Sequence, residues 1–345
     1  MMKAIDLRSD TITRPGPRMR AVMAEAEVGD DVYGEDVTVN RLEDRAAELL
    51  GTEAGLFVTS GTQGNLVALL THCERGDGAI LGSNSHIYIY EGGGLSAIGG
   101  ILPLIVDDSQ GIMSAESITR WVRPKDIHFA PAKLLCLENT HNRAGGVAVA
   151  PDVFAERARL GREHGLAVHL DGARVFNAAE AWGVDVKVFT TEVDSVQICL
   201  SKGLGAPVGS LLCGASDFID RARHWRKRLG GGMRQAGIVA AAGLYALDEL
   251  RSRLSEDHEN AQRLSDLLKK GGVAVEESTR PTNMIYFGLP EDGPDADQVV
   301  ELCAARGVLF NAVSSRRIRL VTHIDVPSGD IPEIATVIIE EAAPS

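Results

Sequence analysis

The sequence predicts an α/β protein: a large unit built on a mainly parallel sheet with helices on both faces, joined to a smaller α/β unit at the C-terminal end. Two observations predict it. Short apolar, strand-like runs alternate with helix-like runs through the first two thirds of the chain, the pattern that arises when crossover helices return each strand parallel to the last. Two residues suited to chemistry, Asp171 and Lys202, each fall just past the end of such a run, and ligand sites in parallel sheets form beyond the carboxyl ends of the strands.

In chain order, Leu56 to Thr59 reads as a strand, Gly64 to Cys73 as a helix, and Ile101 to Val106 and Leu134 to Glu138 as further strands. Pro151 to His164 carries apolar residues at helical spacing. Proline near its start costs no hydrogen bond there, and Gly165 stops the helix before the strand Leu166 to Leu170. The run SVQICLSKGLG alternates as a strand does before its serine, lysine and glycine loop. A charged helical stretch from Glu249 to Lys270 ends in Gly271 and Gly272; behind it come the strand Asn283 to Phe287, the helix Asp295 to Arg306 and the strand Ile318 to Thr322. Ser328 is placed to cap a last helix with apolar positions Ile331, Ile334, Ala335 and Ile338. A boundary near Leu250 gives units 1–250 and 251–345, with no internal repeat and no low-complexity linker.

With 345 residues, 44% hydrophobic and 24% charged, the chain can bury a large core. Its 48 acidic against 35 basic residues leave a net charge of -13, which argues against nucleic acid or an anionic membrane as partner and points to a small molecule. The cysteines Cys73, Cys136, Cys199, Cys213 and Cys303 are dispersed, mostly in apolar runs, and lack paired spacing, as reduced thiols of a cytoplasmic protein do. The opening MMKAIDLRSD has no basic region followed by an apolar one. The longest apolar stretch, near Ala236 to Leu247, falls short of the roughly 20 residues of a membrane span. Neither secretion nor membrane insertion is expected.

The chemistry is read from three places. Lys202 precedes glycines that let other groups crowd its amine, which suits covalent attachment of an aldehyde. Asp171 ends the apolar run in LAVHLDGAR, with Arg174 three residues on; a carboxylate there would keep a pyridine nitrogen protonated, and Arg174 would donate to the ring oxygen. SGTQGN, Ser60 to Asn65, runs from a strand into a helix, so free amides, the positive helix end and the hydroxyls of Ser60 and Thr62 face an anion. Each feature alone has a plainer reading, as a turn glycine, a capping aspartate or a surface cation. Together they supply the amine, the acid and the phosphate cradle that pyridoxal 5'-phosphate requires.

His86 and Glu91 share the loop SNSHIYIYEGGG, whose glycines Gly92 to Gly94 free the backbone to fold close; the pair is a candidate general base, directly or through water. An amino acid substrate needs its carboxylate held, for which Arg316, Arg317 and Arg319 are candidates. Along a strand Arg317 and Arg319 share one face and Arg316 takes the other, which does not choose between them. No metal-ligand set is read from the sequence.

The blocks IDLRSDTITRP, GDDVYG, SGTQGNLVALL, DIHFA, LENTHN, HLDGARVFNA, CLSKGLGAPVGSLL, GGGMRQAG and RLVTHIDV, spread over nearly the whole chain, together resemble the low-specificity L-threonine aldolases. The resemblance implies fold type I of the pyridoxal-phosphate enzymes, the aspartate aminotransferase-like fold, and retro-aldol cleavage of L-threonine, L-allo-threonine and other β-hydroxy-α-amino acids to glycine and an aldehyde. Lys202 then matches the lysine that binds the cofactor, Asp171 the ring-nitrogen partner, Arg174 the ring-oxygen contact, and Gly61 and Thr62 the phosphate cup. His86 matches the histidine stacked on the ring, and Arg319 the carboxylate clamp, helped by Ser9. His128 matches a second active-site histidine, Tyr33 and Lys227 active-site residues near a subunit boundary, and Arg234 a phosphate contact from the neighbouring chain. A homotetramer built from dimers, with sites shared between subunits, is implied as well. The rival readings are another enzyme of this fold and cofactor, a β-eliminating lyase or an aminotransferase, and a binding protein without turnover, against which the intact Lys202, Asp171 and His86 argue.

Overall fold

The computed structural model describes residues 4–278 and 280–343. The outer limits of the two predicted units and the first three residues of the opening segment lie outside the described residues. A short strand β1 (Ile5–Asp6) precedes a seven-stranded sheet of β2 (Ala54–Val58), β3 (Gly78–Gly82), β4 (Leu102–Val106), β5 (Ala132–Glu138), β6 (Ala167–Asp171), β7 (Ser195–Cys199) and β8 (Ser210–Gly214). Their spatial order is β2-β8-β7-β6-β5-β3-β4; β8 runs antiparallel to both neighbours and the other pairings are parallel. β3, β7 and β8 are buried along their whole length, as strands covered by helices on both faces must be.

Helix Gly61–His72 follows β2 after a tight turn and packs its first turns against β7. A Cβ at Gly64 would come within 2.7 Å of the Gln197 side chain, and one at Gly61 within 2.9 Å of Cys199 Sγ. These glycines therefore serve close packing of helix on sheet, which brings the helix start to the carboxyl ends of the strands.

Beyond the large sheet come β9 (Ala274–Val275), β10 (Met284–Gly288), β11 (Val308–Leu309), β12 (Asn311–Ser314) and β13 (Arg317–Val321). An antiparallel sheet of order β12-β13-β10-β9 forms from them, while β11 pairs in parallel with β1. The start of the chain thus packs with its end: Leu7 shares a core with Leu264, Phe287, Ile318 and Ile334, and the Val321 amide donates to the Leu7 carbonyl at 2.9 Å. That strap lays Ser9 and Asp10 beside the face of β13.

The predicted elements fall within a few residues of those observed, with two differences. Ser328 does not cap the last helix: it opens a 3-10 turn, and Ile331–Ala342 follows without a side-chain cap. Pro332 in the first turn lacks an amide that such a cap would accept. The stretch from Glu249 is not one helix; a π turn over Ala246–Leu250 and a 3-10 turn over Arg251–Arg253 precede the regular helix Leu254–Lys270. All five cysteines are buried and unpaired, and among the described residues no helix is long and apolar enough to cross a membrane.

Candidate active site

Five predicted or newly visible polar positions gather at one edge because the strands that carry them run the same way. β2 leads to Ser60, β3 to His86, β5 ends at Glu138, β6 ends at Asp171, and β7 leads to Lys202. Ser60 is the cap of helix Gly61–His72, its hydroxyl accepting from the Gln63 amide at 3.1 Å. The amides of Gly61 and Thr62 fall in the first turn, where no helical acceptor exists for them. Lys202 forms no ion pair among the described residues, yet its charge bears on both Asp10 and His86.

Asp171 and Glu91 are both buried. The Asn65 side-chain nitrogen donates to Glu91 Oε1 and to Asp171 Oδ2, each at 2.8 Å, and the Ala173 amide donates to Asp171 Oδ1 at 3.2 Å. Glu91 Oε1 also lies 2.9 Å from His86 Nδ1, and the nearest nitrogen and oxygen atoms of His86, Glu91 and Asp171 all lie within 4.8 Å of one another. Burial raises the Glu91 carboxyl, as does the like charge of Asp171, against the lowering pull of His86 and Asn65. Burial lowers the His86 imidazole, but its hydrogen bond to Glu91 and the charges of Asp171 and Glu91 outweigh this and leave its pKa above the ordinary value.

His86 is also held by its backbone. Its amide donates to Glu138 Oε2 at 2.7 Å, while Glu138 Oε1 accepts from the Asn142 amide at 2.9 Å. Burial pushes the Glu138 carboxyl up. Asn142 in turn presents Oδ1 to Arg319 at 3.1 Å, so one half-buried acid ties the histidine loop to the loop that orients the arginine.

The three arginines separate cleanly. Arg316 precedes β13 and is spent on the carbonyls of Pro290, Glu291, Gly293 and Pro294. Arg317 forms a two-pronged pair with Glu276 at 2.6 and 2.7 Å. Among the described residues Arg319 donates to Asn142 Oδ1 and the Arg8 carbonyl, lies close enough to Tyr286 to oppose the burial that raises its phenol pKa, has no carboxylate partner, and leaves a buried Nε without a hydrogen bond. Ser9, one residue beyond Arg8, caps a 3-10 turn and accepts from the Thr11 amide and hydroxyl.

Arg174 is buried and commits Nε and Nη2 to Asp10 at 2.7 and 2.6 Å, leaving Nη1 free of that pair. Burial raises the Asp10 carboxyl, but Arg174, Lys202 and Asn283 outweigh it and bring its pKa down to about 2. Sequence reasoning missed Asp10, Glu138 and the inward role of Asn65. Glu138 ends an apolar run as Asp171 does, and the same rule could have found it; Asp10 needed the knowledge that Arg174 is buried and so requires a buried acid.

Among the described residues, no bond brings four of the predicted residues to this edge. Tyr33 is 75% exposed. The His128 side chain is 76% exposed and bonded to Asp126. Lys227 is exposed in the last turn of helix Ser216–Arg228, and Arg234 pairs with Asp30 at the surface.

Residues 6–289 match the family model of the beta-eliminating lyases. Over 332 residues the chain is 49% identical to the low specificity L-threonine aldolase of Escherichia coli K12, covering 96% of this chain and 97% of that one. It is 45% identical to low-specificity L-threonine aldolase 1 of Arabidopsis thaliana, covering 96% and 94%. Among solved structures, the threonine aldolase of Leishmania major superposes with a TM-score of 0.82 at 20% identity over 97% of this chain and 99% of that one. A serine palmitoyltransferase of Sphingomonas wittichii superposes with 0.77 at 20% over 98% and 87%; at these identities the two structures speak to the fold alone, fold type I. By its family match and its full-length relatives, the chain belongs to the low-specificity L-threonine aldolases of the beta-eliminating lyase family.

Proposed function

We propose that this protein cleaves L-threonine, L-allo-threonine and other β-hydroxy-α-amino acids to glycine and an aldehyde, acetaldehyde in the case of threonine, with pyridoxal 5'-phosphate as cofactor. The observation that carries the reading is the convergence, on one strand edge, of an amine (Lys202), a buried acid (Asp171) and an imidazole backed by a carboxylate (His86 with Glu91), with a cation on β13 (Arg319) tied to the loop after β5 through Asn142; among the described residues neither Lys202 nor Arg319 has an acid partner. Full-length relatives named for this reaction support it.

The donor set fits the cofactor. Asp171, buried and fixed by two donors, suits a pyridine nitrogen; the free Nη1 of Arg174 suits the ring oxygen; Ser60, Gly61 and Thr62 at a helix start suit a phosphate, with Arg234 supplied from a neighbouring copy. Bound there, pyridoxal phosphate supplies an electron sink for the bond broken at Cα.

The chain does the rest by position. Lys202 Nζ is the amine that would hold the cofactor until a substrate amine arrives. Arg319 and Ser9 hold the substrate carboxylate, which fixes the amino acid so that the Cα to Cβ bond is the one aligned for cleavage. With His86 Nδ1 turned to Glu91, Nε2 is left to take the hydroxyl proton, and Glu91 steadies the cation that forms. Tyr33, His128 and Lys227, exposed here, belong in this reading to sites completed by a second copy, in a homotetramer assembled from dimers. We also read the chain as a large unit to about Leu250 and a small one after it, acting in the cytoplasm on a small molecule rather than on nucleic acid or membrane.

Purified protein loaded with cofactor and given L-threonine should release glycine and acetaldehyde in equal amounts without a 2-oxo acid, which an aminotransferase would need. Release of pyruvate and ammonia from L-serine without aldehyde from L-threonine would favour a β-eliminating lyase instead.

A further inference from the structure

We infer that Asn65 is a positioning residue whose amide, locked in one orientation by a directed hydrogen-bond chain from His72 through Ser195 and His169, holds the Glu91 and Asp171 carboxylates side by side. The inference rests on the function proposed above for what those carboxylates do, and extends it to residues lying between helix Gly61–His72 and strands β6 and β7.

The direction of the chain follows from what each group can do. Carboxylates accept, so Asn65 must turn its nitrogen to Glu91 Oε1 and Asp171 Oδ2, both at 2.8 Å, and both of its hydrogens are used. Its Oδ1 then faces His169 Nε2 at 3.1 Å and can only accept, so that nitrogen carries the hydrogen. Burial pushes the His169 imidazole down to about 4, so it is neutral and Nδ1 is bare. Ser195 Oγ, 2.8 Å from Nδ1, therefore donates to it and accepts from His72 Nε2 at 2.8 Å. Burial pushes His72 down to about 3.

Every hydrogen in this chain points towards the two acids, and reversing any one member would set two donors or two acceptors against each other. Asn65 is 1% exposed inside helix Gly61–His72, so its orientation is set by these partners and not by water. His86, Glu138 and His141 supply other charges that bear on these acids, but among the described residues only the Asn65 amide bonds both acids at once.

The test uses the purified holoenzyme labelled with nitrogen-15 histidine. His169 should show the neutral tautomer with hydrogen on Nε2 throughout about pH 6 to 8. Asn65→Asp keeps the shape but replaces the donor by a third acid; kcat on L-threonine should fall about tenfold or more, KM should change by less than about threefold, and the acid limb of the kcat profile should move to higher pH. Ser195→Ala cuts the chain far from the acids; it should lower kcat by only about two- to fivefold and release the fixed His169 tautomer. An imidazolium or an Nδ1-protonated His169 in the wild type overturns the proposal, as does an Asn65→Asp enzyme with kcat within about twofold of wild type. If Asn65→Asp does not fold, the wild-type tautomer and Ser195→Ala decide. Wild-type protein that fails to cleave L-threonine would defeat the proposed function and leave the tautomer result to stand or fall by itself.

Discussion

The carboxyl edge of the large sheet and the face of the small antiparallel sheet bring polar groups to the same place, but in opposite states. On the large sheet, Asp171, Glu91 and Glu138 each accept from protein donors between 2.7 and 3.2 Å away. On the small sheet, Arg319 keeps a buried nitrogen without a hydrogen-bond partner among the described residues, while Arg317, on the same face two residues earlier, forms a two-pronged pair with Glu276. A buried donor left unsatisfied costs about 1–3 kcal/mol, a cost that makes sense where an incoming anion completes it. In the proposed function the satisfied edge is machinery held in place, and the unsatisfied arginine is the one that receives the substrate carboxylate.

The largest expected effect falls on the edge itself. Lys202→Ala should remove the yellow colour of bound cofactor and lower turnover by a factor on the order of 10^4 or more; full activity in that variant would break the reading of the edge. Next comes the arginine pair. Arg319→Ala should raise KM for L-threonine by about 10- to 100-fold, the worth of a charge-assisted contact, whereas Arg317→Ala should leave KM nearly unchanged because its guanidinium is already paired with Glu276. Equal effects from the two would erase the contrast between them.

A pH titration sharpens the comparison further. The Glu91 bond and charge help to hold the His86 pKa up, so activity that needs neutral His86 should fall as pH drops through that raised value. Glu91→Gln removes the charge and should carry the acid limb of kcat/KM to lower pH; an unmoved limb would separate His86 from Glu91. Asp10 affects stability instead. Its pKa is depressed from 3.8 to about 2, so its contribution is fully present above the ordinary value and is lost as pH falls towards the depressed one. That amounts to about 2 kcal/mol at neutral pH, to be read by chemical denaturation at pH 7 and near pH 3. The smallest change is expected at Ser328→Ala, within about 0.5 kcal/mol of wild type, since that hydroxyl caps nothing.

Much of this was legible along the chain. Pro151 and Gly165 bracket helix Pro151–Glu163 because proline and glycine act locally. Asp171 and Lys202 were readable as strand-end residues because apolar runs mark their own ends. Asn65 was read as the end of a phosphate cradle, and there the reasoning failed: a side chain four residues into a helix points where the helix's rotation on the sheet sends it, and that rotation is fixed by Gly61 and Gly64 meeting Cys199 and Gln197.

Local patterns of apolar spacing, turn glycines and chemically suited residue types determined that this chain would form strands and helices in this order, with an acid and an amine at strand ends. They could do so because periodicity and backbone freedom are properties of neighbours in sequence. Which arginine stays free, which acid pairs with Arg174, and how Asn65 joins two carboxylates were decided only when β13, the Ser9 strap and helix Gly61–His72 packed together. Those partners stand 177 residues apart for Arg319 and Asn142, 164 for Arg174 and Asp10, and 106 for Asn65 and Asp171, and no local rule reaches across such distances.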